Sequence, residues 1–189
     1  MNLLTSGNDL YSYRVDEIKD LIKRLSNNKN LFVNSFSIKR NAIFTVSDVP
    51  QRYPSEDYTD HRFQTISELV NASYLEVWVP LDPSNSEYFL KTSNLHFYCQ
   101  IPEYLDNRPN GELLLVHTDP NIAVNEHHAI YKQRTHLHLQ PMPYNLNHSQ
   151  LAINLGIDNL YESRDNFNKS LERSFLMIKE QVLELIKYN

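Results

Sequence analysis

The chain has 189 residues, 41 % of them apolar and 22 % charged, with a formal net charge of −5 at neutral pH. That length suits a single domain over 1–189 with its own core, and the excess of acids disfavours a broad cationic surface wrapped by duplex nucleic acid while leaving room for a small basic site in a cleft. No apolar run reaches the roughly 18–20 residues that cross a bilayer, MNLLTSGNDL lacks the pattern of a signal peptide, and Cys99 is the only cysteine, so a disulfide framework and a four-cysteine metal site are excluded and a cytoplasmic protein is expected.

In chain order, VDEIKDLIKRL (15–25) places Val15, Ile18, Leu21, Ile22 and Leu25 on one face, with Asp16 and Glu17 at its first turn and Lys23 and Arg24 near its last. This spacing predicts an amphipathic helix. After the polar SNNKN, LFVNSFSI and NAIFTVSDV carry β-branched and aromatic residues in partly alternating order and read as a hairpin joined through Lys39 to Asn41. QRYPSEDYTDHR shows no apolar period and reads as a loop, whereas Phe63, Ile66 and Leu69 or Val70 recur at helical spacing and suggest a short helix or helical turn.

YLEVWVPL and EYFLKTSNLHFYCQI are strand-like and should pair antiparallel across a turn at Asp82 to Ser86. Asn110-Gly111 is a strong reversing signal before a strand at Glu112 to Thr118, and HHAIYKQRTHLHLQPM supplies one or two further strand segments before Pro141 and Pro143. Finally, Phe167, Leu171, Phe175, Ile178, Val182, Leu185 and Ile186 recur at spacings of three and four over 164–187, the mark of a long C-terminal helix. The fold class is therefore α+β: an antiparallel sheet of about four to six strands covered by N-terminal and C-terminal amphipathic helices.

Seven of the eight histidines lie between His96 and His148. In a strand, His136 and His138 share one face, with Leu137 and Leu139 on the other. If the strands carrying His96, His117 and this pair adjoin, the four imidazoles converge in one shallow pocket, with Asp119 at its edge and Lys132 and Arg134 near its mouth. Imidazole moves protons near neutral pH and cations offset charge on a phosphate, so such a set suits phosphoryl chemistry without a metal or other cofactor. His136, His138 and His117 are the candidate catalytic residues. Arg134, Lys132, Gln140, Tyr98 and His96 are the candidate substrate-binding residues. Two alternatives stay open: three imidazoles and a carboxylate can hold zinc or manganese, and a strand histidine can simply be a hydrogen-bonding or surface group. No GxxxxGK[ST], GxGxxG or GxSxG is present.

HLHLQPMP resembles the glutamine branch of the histidine triad superfamily over some nine residues, which implies nucleotidyl transfer with His138 as nucleophile, preceded by His136 and followed by Gln140. LHFYCQ, the NG turn, ELLLVHTDPN, HH and THLHL together resemble small toxin proteins of bacterial toxin–antitoxin pairs, over about 14–140. That resemblance implies action on RNA or nucleotides and a cognate antitoxin or other protein partner. The expectation is thus a toxin-like phosphodiesterase or nucleotidyl-transfer enzyme working through a histidine cleft, a hydrolase or nuclease in kind. The competing expectation, motivated by twelve tyrosines and an incomplete catalytic signature, is a non-catalytic protein-interaction component of such a system.

Overall fold

The computed structural model describes residues 3–50, 61–82, 84, 86–99, 112–119, 134–139, 151–154 and 162–184. Strand β1 (Leu4–Ser6) leads directly into helix α1 (Gly7–Ile22). The helix starts eight residues before the predicted position because Ser6 caps it, its hydroxyl accepting from the Asp9 amide at 3.1 Å. Gly7 is needed for close approach: its amide donates to the Ser86 carbonyl at 2.6 Å, and a Cβ there would sit 3.1 Å from both that oxygen and the Tyr88 ring.

Strands β2 (Phe32–Ile38) and β3 (Asn41–Ser47) form the expected hairpin, with Lys39 and Arg40 at φ 50° and 70° as its two-residue turn. Both central residues are left-handed, the geometry of the twist-matched hairpin turn, but neither residue favours it. Replacing the pair by Asn-Gly (Lys39→Asn with Arg40→Gly) is expected to raise stability by about 1 kcal/mol, read as a higher thermal midpoint.

The helical turn predicted near Phe63 is instead strand β4 (Phe63–Gln64), hairpinned to β5 (Val70–Pro80). The helical spacing was coincidental. Thr65 decides the matter: its amide and hydroxyl both donate to the Val70 carbonyl, at 3.2 and 2.8 Å, closing a tight turn that no helix can share. The Asp82–Ser86 reversal holds as expected, with the Asp82 carboxylate accepting from the Ser84 amide at 2.9 Å and β6 (Glu87–Cys99) returning antiparallel along β5.

Beyond β6 follow β7 (Glu112–Asp119), β8 (Arg134–Leu139) and β9 (Leu151–Asn154), so the described residues build a nine-stranded sheet and not the predicted four to six. Its order is β2-β3-β5-β6-β7-β8-β9, with β1 beside β6 and β4 beside β5, and every pairing is antiparallel. The surplus comes from segments too short to show a period: β1, β4 and β9 have three, two and four residues. The segments 51–60 and 120–133, with Asn110-Gly111, lie outside the described residues.

Helix α2 (Arg164–Ile178) is capped by Ser163 and passes into one π-helical stretch, Lys179–Leu183. The wider turn shifts the apolar stripe by one position, so Leu183 rather than Val182 follows Ile178 into the core. Both helices pack on one sheet face. Thr5 meets Arg164, Arg14 meets Asn168 and Arg24 meets Glu172, so α1 and α2 run in the same sense. Against them the sheet presents Phe44, Trp78, Leu95, Phe97, Leu114 and Leu137. A bulge that leaves Lys91 unpaired lets Leu90 and Leu95, five positions apart, both reach that layer. The far face of the sheet carries a smaller buried cluster of Ile43, Leu75 and Val77.

Candidate functional site

Among the described residues the densest polar constellation lies inside the helix–sheet layer, not on the histidine face. Leu10, Arg14 and Ile18 follow one another at four-residue steps down the buried stripe of α1, so Arg14 points into the core and is fully buried. Tyr74, Glu76 and Trp78 alternate onto the same face of β5. Arg14 Nε and Nη2 donate to the two Glu76 oxygens, each at 2.6 Å, a bidentate pair. Tyr74 donates its hydroxyl to Glu76 Oε2 at 2.6 Å, the Trp78 indole donates to Oε1, and Ser93 donates to the Tyr74 oxygen at 3.2 Å.

The remaining Arg14 nitrogen donates to Glu17 at 2.8 Å and to the Asn168 side-chain oxygen. Glu17 in turn pairs with Arg164 at 3.0 Å, which also donates to Thr5 at 3.2 Å. The chain of contacts ends in a cleft of about 540 Å³ between the starts of the two helices, lined by Thr5, Asp9, Glu17, Glu87, Arg164 and Asp165. Arg14, Glu76, Glu17 and Arg164 thus alternate in sign along the contacts, which suits a structural clamp joining α1, α2 and β5.

Burial alone lowers the pKa of the Arg14 guanidinium, but the adjacent Glu76 charge and its hydrogen bonds outweigh it, so the group is raised and stays charged. Burial first, and then the Glu76 charge, hold the Tyr74 phenol well above its ordinary range. An unfolded tyrosine ionises near pH 10, so this contribution to stability is complete below about pH 10 and is lost as pH rises from there through the folded value. Tyr74→Phe is expected to flatten the alkaline fall of the urea midpoint above about pH 10, leaving only what other phenols such as the raised Tyr11 contribute. An unchanged slope would place the titration elsewhere.

The predicted histidine site falls on the face away from the helices. Leu137 is buried in the core cluster, so positions 136 and 138 of β8 lie on the opposite face. The register sets His117 across from His136, Leu115 across from His138, and Asp119 across from Arg134. His96 sits opposite Leu115, so His96 and His117 are diagonal neighbours, roughly 7–8 Å apart by ladder geometry. Both rings are half-buried: His117 Nε2 lies 3.2 Å from the Thr92 hydroxyl, and His96 stacks on Tyr98 with centroids 6.0 Å apart. Tyr98 is 1 % exposed, with the Arg62 guanidinium 3.9 Å over its ring and its hydroxyl 3.4 Å from Ser73. Lys132 and Gln140 lie outside the described residues.

A third feature flanks the open end of the sheet. Between α1 and β2 runs a groove of about 530 Å³ with Ile22, Leu31, Val33 and Val46 in its floor and Lys19, Lys23 and Lys29 on its rim. Strand β2 has no neighbour on its outer edge among the described residues. Its sequence, FVNSFSI, contains no charge and no proline, and Phe32 and Ile38 are 39 % and 37 % exposed.

No protein-family model matches this chain, and neither a curated protein nor a solved structure does. The expectation of a hydrolase or nuclease of the toxin–antitoxin kind is corrected accordingly. Among the described residues no group of three or more His, Cys, Asp or Glu could hold a metal. Of the described imidazoles in that set, His117 lies beside the Thr92 hydroxyl and His96 stacks on Tyr98.

Sequence reasoning passed over Arg14, Glu76, Glu17 and Asn168. The signal was present for two of them: an arginine at the apolar step between Leu10 and Ile18, and a glutamate alternating with Tyr74 and Trp78. Each is a charge on a face that otherwise reads as core, where a buried charge needs an opposite one, so the two are natural partners.

Proposed function

We propose that the chain is a protein-interaction module that takes up an extended segment of a partner along the outer edge of β2. The outer edge of β2, which has no strand neighbour among the described residues, carries this reading. A free strand edge templates pairing with another chain, and folded proteins ordinarily blunt it with charges, proline, bulges or a covering element. FVNSFSI carries neither charge nor proline over seven residues and keeps Phe32 and Ile38 exposed. An added strand would satisfy the open backbone groups, and pockets beside the edge would select its side chains.

The test is a peptide selection from a random display library, followed by titration and amide exchange. Selected peptides should slow exchange in β2, and Phe32→Lys with Ile38→Lys should weaken them about tenfold. Selected peptides that bind this variant unchanged, or protect other amides, would remove the edge from consideration.

A further inference from the structure

We infer that the segment recognised at this edge is acidic and carries one large apolar anchor on the side of the sheet that faces α1. The inference rests on the edge-addition reading above. Val33 pairs with Val46 in the ladder, and both line the groove, so the groove opens on the α1 side of the very strand to which a partner would add. An added strand sends alternate side chains to that side, about 6.6–6.8 Å apart. One of them lies over Ile22, Val33 and Val46; the positions two before and two after it reach the rim.

The rim decides the charge. Although the chain as a whole is acidic by five charges, the groove lining includes Lys19, Lys23 and Lys29 and no acid. Lys19 and Lys23 do meet Asp16 and Asp20, at 3.3 and 2.8 Å, but both pairs are exposed i,i+3 contacts on the helix surface. Such pairs are weak and yield readily to a better-placed carboxylate. Carboxylates two residues either side of an apolar anchor would find a cation at each end of the groove. That favours a Glu-x-Φ-x-Glu pattern, where Φ is a large apolar residue, over a basic or neutral one.

The experiment titrates the full chain with a fluorescent peptide built around Glu-Thr-Leu-Thr-Glu. Three comparison probes are the same peptide with lysine for glutamate, an N-methylated backbone version, and dodecanoate. The expected result is binding of the acidic peptide alone, weakened about tenfold by Lys23→Glu with Lys29→Glu and abolished by N-methylation. The lysine peptide binding equally well, with N-methylation still abolishing both, overturns the acidic assignment and leaves edge addition standing. Failure of both peptides, or indifference to N-methylation, overturns edge addition itself. Dodecanoate displacing the peptide, and losing affinity when the rim lysines are reversed, assigns the groove to an anionic acyl chain and overturns the inference.

Discussion

Arg14→Met is expected to lower the stability of the folded chain by about 3–5 kcal/mol. The substitution leaves most of the side-chain volume in place and takes away both donors to Glu76, so a carboxylate with no exposure is left without its counter-charge in the helix–sheet layer. The loss comes from that stranded charge, not from the pair's attraction, which largely repays the desolvation of its two members. Arg14→Met with Glu76→Gln should therefore recover part of the loss. A neutral amide can still accept from the Trp78 indole and engage the Tyr74 hydroxyl that now bond Glu76. Urea denaturation checks both, with the midpoint moving at constant slope. If the double variant were as unstable as the single losses summed, Arg14 and Glu76 would not be coupled.

Phe175→Ala should cost about 3–5 kcal/mol by a different route. Phe175 is fully buried and meets the Tyr74 ring edge-on, with centroids 6.4 Å apart and planes at 86°. It lies on the α2 stripe with Phe167, Leu171 and Ile178, which attaches that helix to the sheet. Truncation opens a cavity between α2 and β5 that a rigid nine-stranded sheet cannot close by moving. Hydrogen exchange should accordingly quicken first in α2, while β5 and β6 amides stay protected until global unfolding. Uniform acceleration would mean that α2 and the sheet open only together.

Both predictions concern positions that stand differently with respect to the sequence. Phe175 is legible there, one member of a three-and-four spacing that marks the C-terminal helix. Arg14 is not, because amphipathic reasoning assigns an arginine to the solvent face unless its partner is known, and Glu76 lies 62 positions away. The histidine face shows the same division. Strand alternation places His136 and His138 together once Leu137 is taken as core, but which strands adjoin them, and in what register, depends on pairings across undescribed connections. The Thr92 hydroxyl beside His117 and the Arg62 side chain over Tyr98 have no local signature at all.

What the sequence determined by itself is whatever depends on near neighbours: helix periodicity in α1 and α2, strand alternation in β2, β3 and β5 to β8, and the reversals at Lys39–Asn41 and Asp82–Ser86. These follow from backbone geometry, whose periods of 3.6 and 2 are written into consecutive residues. Tertiary structure decided the rest. It turned Phe63–Gln64 into a strand through the Thr65 turn, unpaired Lys91 to bring Leu90 and Leu95 into one layer, and left β2 without an outer neighbour among the described residues, beside a lysine-rimmed groove. It also buried Arg14 against Glu76. Each of these depends on burial or pairing between separate elements, and only the folded arrangement settles which polar groups find partners and which strands lie at the edge.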